Sequence, residues 1–341
     1  VSANKTAPVT LRTLADQLGL HVSTVSRVLH ADPEASHRAA SSETFARVRK
    51  LADELGYRPN PHATSLRTRR SNLVGVVVPQ LSDIVLATIY EGIEESASDY
   101  GLSTFVTNTR DDPGLKQIRT EMMLDHRVDG MIFGDASLDP AFLGTVAAKG
   151  VPFVLVNRRS GDYPSVTCDD FLGGKLVGEH LLGLGHRDVG VVAGEPYAST
   201  GVDRSAGFLA AYAEAGIEIP AYRVTNSGHD ARGGHIATEK LLASGPPPSA
   251  LFAVNDFAAI GAFGALRDHG LRAGEDIAVA GFNDTPLAAE LPVPLTTVRS
   301  PMREMGRRGL ALLAGMMREE EAQSQRLLPQ LVVRASTTGP R

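Results

Sequence analysis

Residues 21–30 read HVSTVSRVLH. Apolar side chains stand at Val22, Val25, Val28 and Leu29, while Ser23, Thr24, Ser26 and Arg27 fill the remaining interior positions. At helical spacing this pattern separates an apolar stripe from a face of small hydroxyls and one guanidinium. Such a face is poorly suited to an enzyme pocket and well suited to a groove lined with phosphates and base edges. Ser23 and Thr24 can bond to phosphate or base edges, Val22 can touch a thymine methyl, and Arg27 can pair with guanine through two hydrogen bonds. The competing reading is a bundle helix whose hydroxyls merely face water.

The elements around this stretch decide between the two. Thr10 is a good N-cap for a first helix in which Leu11, Leu14, Ala15 and Leu18 fall at i, i+3, i+4 and i+7, and Gly19 ends it. HVSTVSRVLH follows at once, so the two helices are joined by about three residues, the spacing of a helix-turn-helix. After the polar loop ADPEASHRAAS, a third helix repeats the apolar spacing at Val48, Leu51, Ala52 and Leu55 and stops at Gly56. Residues 1–72 carry 11 Lys and Arg against 6 Asp and Glu, or +5; the other 23 basic and 33 acidic residues leave the remainder at −10. A basic helical module on an acidic body is the charge footprint of nucleic-acid binding at one end.

From residue 73 the pattern changes. NLVGVVVP is a continuous β-branched run of the kind buried on both faces of a sheet. STFVT, GMIFG, PFVLV, DVGVVAG, ALFAV and IAVAG follow, each succeeded by a helix-like stretch. The expected fold is an all-α helix-turn-helix headpiece followed by two doubly wound, parallel α/β subdomains. Ligands in such folds sit beyond the carboxyl ends of the strands.

Several function classes lack support. There is no phosphate loop, HExxH, GxSxG or helix-opening GxGxxG, so no enzyme is expected. The single cysteine, Cys168, excludes an intrachain disulfide and a cysteine-based zinc site; it reads as a small buried hydrophobe, and neither metal nor cofactor is expected. No run approaches the roughly 18 apolar residues of a membrane span. The opening VSANKTAPVT lacks a secretory layout, so a cytoplasmic location is expected. No leucine heptads follow LVVRASTTGPR, and no tetramerising tail is expected.

The segments PVTLRTLADQLGLHVSTVSRVL, ELGYRPNPHATSLRT and NLVGVVVP resemble the start of a LacI/GalR-family bacterial transcriptional regulator. The resemblance continues, in the family's order and spacing, through GEHLLGLGHRDVGVVAG, VDRSAGFLAAY, AVNDFAAIGA, VAGFNDTPLA and PLTTVRSPMREMG. It implies a homodimeric regulator, most often a repressor, that binds palindromic double-stranded operator DNA and answers to a small-molecule effector. A sugar is the first candidate, then a sugar phosphate, then a nucleoside. It implies a headpiece over residues 1–59, a hinge helix and linker over 60–72, and an effector-binding and dimerisation domain over 73–341. Within the last, one subdomain takes about 73–168 and 300–327, and the other about 169–299 and 328–341.

The DNA-contacting candidates are then Thr10, His21, Val22, Ser23, Thr24, Ser26 and Arg27 in the headpiece, with Asn60, His62, Ala63 and Leu66 in the hinge. Asn60 and Pro61 are suited to start a helix. Leu66 would wedge into the minor groove. His21 stands where many members carry Ser. By resemblance Arg204, Asn157 and Asn283 contact the effector, the two asparagines standing where many sugar-binding members have Asp. Pro79, Cys168, His229 and Ser300 align with pocket positions. Asn255 completes the effector set, although with Asp256 it precedes a helix and reads first as a cap; Asp169 or Asp170 is expected to cap another.

Overall fold

The computed structural model describes residues 9–30, 41–58 and 70–338. The hinge candidates Asn60, His62, Ala63 and Leu66 lie outside the described residues. The chain divides into two compact units, Val1–Ser71 and Asn72–Arg341.

In the first unit, α1 (Leu11–Leu18), α2 (Val22–His30) and α3 (Ser42–Glu54) share one small core. The Thr10 hydroxyl accepts from the Thr13 amide at 3.2 Å and the Thr13 hydroxyl accepts from the Thr10 amide at 3.2 Å, a reciprocal cap that holds the start of α1. Gly19 turns the chain at φ 66°, a conformation a side chain would oppose, and α2 begins three residues later. Leu14, Ala15, Val25, Val28, Val48 and Ala52 are buried at the centre. Val22 departs from the expected stripe: it is 37% exposed, whereas Val25 and Val28 are fully buried.

The second unit contains, in chain order, β1 (Leu73–Val78), α4 (Ile84–Asp99), β2 (Ser103–Asn108), α5 (Pro113–Asp125), β3 (Gly130–Phe133), α6 (Ala141–Ala147), β4 (Phe153–Val156) and β5 (Ser165–Cys168). Then follow α7 (Asp170–Gly183), β6 (Val189–Ala193), α8 (Ser199–Glu214), β7 (Val224–Asn226), α9 (Ala231–Ala243), β8 (Ala250–Ala253), α10 (Asp256–Asp268) and β9 (Ala278–Ala280). The last elements are α11 (Pro286–Glu290), β10 (Thr297–Arg299), α12 (Met302–Met316), β11 (Gln325–Leu327), β12 (Gln330–Val332) and α13 (Ala335–Thr338).

A six-stranded parallel sheet has the order β11-β5-β4-β3-β1-β2, and a four-stranded parallel sheet the order β7-β6-β8-β9. Strands β10 and β12 run antiparallel as a separate pair. Both parallel sheets carry the buried, β-branched strands that apolar runs such as LVGVVV dictate. The first sheet draws its strands from residues 73–168 and then again from 325–327, after the whole of the second sheet has been laid down.

Three helix pairs flank these sheets, and each approaches at reciprocal glycines. A Cβ on Gly92 of α4 would lie 2.1 Å from the Arg303 carbonyl oxygen, and one on Gly306 of α12 would lie 2.0 Å from that of Ile89. Gly174 of α7 and Gly207 of α8 meet Arg204 and Phe171 carbonyls at 1.9 Å in the same sense. Gly234 of α9 and Gly261 of α10 repeat the arrangement against Ala258 and Ala231. Backbone therefore touches backbone, and Val85, Leu86, Ile89 and Ile93 of α4 are buried in the core. Each such side chain contributes about 1.5–3 kcal/mol of hydrophobic stabilisation.

Candidate nucleic-acid interface and effector cleft

The outward face of α2 is built from local bonds. His21 precedes the helix and its Nδ1 accepts from the Ser23 amide at 3.3 Å while lying 2.8 Å from the Ser23 hydroxyl. An imidazole thus does the capping work that a serine hydroxyl does elsewhere. His21, Val22, Ser23 and Arg27 are exposed, and Thr24 and Ser26 are half-buried. Arg27 Nε donates to the Ser23 carbonyl at 3.3 Å, which lays the guanidinium along the helix towards its N-terminal turn. The result is an exposed apolar tip, hydroxyls and a cation at the start of one helix, the end that enters a major groove in helix-turn-helix proteins.

In the second unit, loops at the carboxyl ends of both parallel sheets converge on a cavity of about 700 Å³. Pro79, Gln80 and Asp83 follow β1; Asn108 ends β2, with Arg110 and Asp111 just after it; Asn157 and Arg158 follow β4. From the other sheet come Glu195 and Tyr197 after β6, Thr200 and Arg204 from α8, His229 and Asp230 after β7, Asn255 after β8 and Asn283 after β9. Six of the eight effector candidates therefore face one cavity: Pro79, Asn157, Arg204, His229, Asn255 and Asn283.

Cys168 and Ser300 are placed elsewhere. Cys168 ends β5 and lines a separate cavity of about 200 Å³, with Asp169 and Arg326 among its neighbours. Burial and then the Asp170 charge push its thiol up to about 12, so it stays protonated. Ser300 is buried at the end of β10, off the cleft lining. Strand geometry explains both: side chains alternate across a strand, and a pocket at the strand ends receives only those aimed at the opening.

Two guanidiniums in the cleft are already occupied. Arg158 donates to both oxygens of Asp111, at 2.8 and 3.0 Å. Burial alone would raise the Asp111 carboxyl, but Arg158 outweighs it and holds it below the usual range. The Tyr197 hydroxyl also donates to Asp111, at 3.2 Å, joining loops of the two sheets. Arg204 donates through Nε to Asp170 at 2.7 Å and through Nη1 to the Val254 carbonyl at 2.9 Å, with its Cζ 3.8 Å from the Phe282 ring centroid. Arg159, just outside, reaches Asp203 at 2.9 and 2.7 Å and is a second tie between the sheets.

The amides differ in how fully they are used. Asn255 caps α10, accepting from the Ala258 amide at 2.7 Å, and donates to the His229 carbonyl at 3.1 Å. Asp169, not Asp170, caps α7, accepting from Leu172 at 3.0 Å. Asn283 is buried with φ at 111°, a strained backbone for a residue with a side chain, and its Oδ1 has no hydrogen-bond partner. His229 Nε2 is likewise buried without one. Burial, and then Arg158, push the His229 imidazole down to about 4, so the ring is neutral near pH 7.

Residues 10–60 match the pattern of the bacterial regulatory proteins of the lacI family, and residues 179–337 that of a periplasmic binding protein-like domain. The HTH-type transcriptional regulator DegA of Bacillus subtilis (strain 168) is 30% identical over 336 residues, covering 96% of this chain and 98% of that protein. The chain belongs to the lacI family.

Other LacI-family proteins align over nearly the same length. The HTH-type transcriptional repressor PurR of Pasteurella multocida (strain Pm70) is 30% identical over 96% of this chain and 98% of its own. Among solved structures, the lac repressor dimer bound to operator and the anti-inducer ONPF superposes with a TM-score of 0.86 at 29% identity, covering 97% of this chain and 99% of that one. A CelR–cellobiose complex gives 0.73 at 28% identity, over 96% and 99%. This LacI-family chain is thus a DNA-binding transcriptional regulator with a helix-turn-helix and a parallel α/β body. Asp83, Asp111, Arg158 and Tyr197 are not singled out by sequence reasoning, and Asp170 figures there only as a possible helix cap. Their pairings span distances such as 47 residues for Arg158 with Asp111 and 34 for Arg204 with Asp170, which no local spacing encodes. Among the described residues, no helix is long and apolar enough to cross a membrane.

Proposed function

We propose that this regulator is a homodimeric repressor that reads a palindromic operator through α2 of two copies and changes its operator affinity when a small polar effector occupies the cleft. A sugar is favoured as effector, a sugar phosphate or nucleoside being the other candidates. The observation that carries the reading is the cavity of about 700 Å³ ringed by side chains from the carboxyl ends of both sheets. That size suits a small molecule. Ties such as Tyr197 to Asp111 span the ring, so a ligand there bears on how the two sheets meet. The dimer and the operator are supported by the likeness to an operator-bound dimer, and the sugar by the likeness to a cellobiose complex. Two headpieces related by a two-fold axis read enough base pairs for specificity, which one cannot.

Thermal unfolding of the full chain against sugars, sugar phosphates and nucleosides tests this. A ligand present at 100 times its Kd should stabilise the fold by about 2.7 kcal/mol. The same compound should then change operator affinity in a gel-shift titration by a coupling of about 1–3 kcal/mol. A ligand that stabilises the protein but leaves DNA affinity unchanged would remove the switching role.

A further inference from the structure

We infer that the cleft takes an uncharged, hydroxyl-bearing effector and turns away ligands carrying a phosphate or carboxylate; the inference rests on the ligand-responsive reading above. A cleft lined by three arginines looks ready for an anion, yet the partners of those arginines reverse that impression. Arg158 spends its fork on Asp111, and Arg204 spends Nε on Asp170 and Nη1 on a backbone carbonyl, with its flat face against Phe282. Arg204 keeps Nη2 for a neutral acceptor, but its charge, like that of Arg158, is already met by a carboxylate; of the three, Arg110 has no such ion pair, and it is exposed to solvent, where its charge is screened.

Meanwhile further acids face the same space. Asp83 and Asp230 cap α4 and α9, accepting from Val85 at 2.9 Å and Gly233 at 2.7 Å, and so occupy two helix N-termini that would otherwise attract an anion. Glu195 also lines the cavity. Against three guanidiniums stand Asp83, Asp111, Glu195 and Asp230 on the cleft wall and Asp170 behind Arg204, and a phosphate would bring still more negative charge beside that set.

The unpartnered atoms point the same way. Asn283 Oδ1 is buried and can only accept, so it calls for an O–H or N–H opposite it and would repel a phosphate or carboxylate oxygen placed there. His229 Nε2 belongs to a neutral ring, which can meet a hydroxyl in either sense and adds no positive charge. The N-terminus of α8, after Ala198, has no side-chain cap, and its Thr200 lines the cavity. It is the place from which a phosphate would have to be held if the inference were wrong.

The test is calorimetric titration of the full chain with matched probes: glucose against glucose 6-phosphate and gluconate, ribose against ribose 5-phosphate, adenosine against its 5′-monophosphate, and cellobiose. Each titration is repeated on Asn283→Ala, and on His229→Ala should the first variant not fold, so that only binding lost in the variant is assigned to the cleft. The expected result is that an uncharged probe binds at least about tenfold tighter than its charged counterpart, because like charges within a site oppose association. A phosphate or carboxylate probe that binds as tightly as its uncharged counterpart, and is lost in the variant, overturns the inference and leaves the ligand-responsive reading standing. If no probe gives binding that the variant removes, both fall.

Discussion

Arg204 and Asp170 form an ion pair that is sealed from solvent, with Nε 2.7 Å from Oδ1 and side chains only 6% and 5% exposed. Asp170 is also the first residue of α7, and Arg204 lies in α8, so the pair pins together the two helices that meet at Gly174 and Gly207. Removing one partner of such a pair strands the other. Arg204→Ala should therefore cost about 3–5 kcal/mol of stability at neutral pH. Asp170 is already raised to about 6 by burial, and without the cation its carboxyl rises further. A folded pKa above the unfolded one means the folded state holds the extra proton, so the variant should lose less stability at pH 5 than at pH 7.5. Urea denaturation at both values checks this, and Arg204→Met with Asp170→Leu should recover much of the loss. Wild-type stability of Arg204→Ala at pH 7.5 would assign the arginine to ligand contact alone.

Arg27 is exposed, and its bond to the Ser23 carbonyl orients it along the helix towards the N-terminal turn of α2, the end proposed above to meet DNA. Arg27→Ala should reduce discrimination between a selected operator and random DNA by about 1–3 kcal/mol. Stability should change little, because the side chain is outside the headpiece core. Paired binding isotherms at one fixed salt concentration measure it; an equal loss on both DNAs would show that Arg27 contacts phosphate instead.

Two glycines of α7 should respond oppositely to the same substitution. At Gly174 an added methyl would lie 1.9 Å from the Arg204 carbonyl oxygen, whereas at Gly183 it would meet nothing within 4 Å. Gly174→Ala is expected to destabilise by about 2 kcal/mol or more, since two helices must separate to admit the methyl. Gly183→Ala is expected to stabilise by about 0.4–1 kcal/mol through the lower entropy of the unfolded chain. Thermal denaturation of both variants decides it, and equal effects would mean that the close helix contact is not rigid.

His229 should make stability sensitive to acid. Burial above all, then Arg158 and Arg204, push its folded pKa down to about 4 from the ordinary value of 6.5, against the opposing pull of Asp111 and Asp230. The folded state therefore binds fewer protons than the unfolded chain between those values, and the contribution present above pH 6.5 is lost as pH falls towards 4. Relative to His229→Gln, the wild type should lose about 2–3 kcal/mol across that window. A constant difference between the two proteins from pH 7 to 4.5 would contradict the buried, neutral imidazole.

Much of the architecture was legible because it is periodic. LVGVVV, MIF, FVLV and ALFA announce buried parallel strands, and Leu11, Leu14, Ala15 and Leu18 announce α1. SVTC, VTN, TVR, QRL and QLV did not stand out, because three or four residues with polar members carry no period and become strands only through distant partners, as Gln325 does beside Val166. At the cleft, Asn157 and Asn283 could be found from their positions just after apolar runs. The carboxylates that neutralise the arginines could not, and neither could the side of β5 on which Cys168 points. Val22 falls on the apolar stripe by spacing yet lies exposed, which leaves it free for the thymine-methyl contact its position also suggests.

The late arrival of β11 and α12 also bears on biosynthesis. While the chain emerges from the ribosome, β5 has an open edge and α4 an uncovered face around Gly92 until residues 302–327 have followed the entire second sheet out of the tunnel. Open sheet edges and uncovered apolar helix faces are where nascent chains aggregate. A premature stop codon upstream of residue 302 should therefore leave no half-receptor to accumulate, only a headpiece tethered to an incomplete sheet and exposed to quality control.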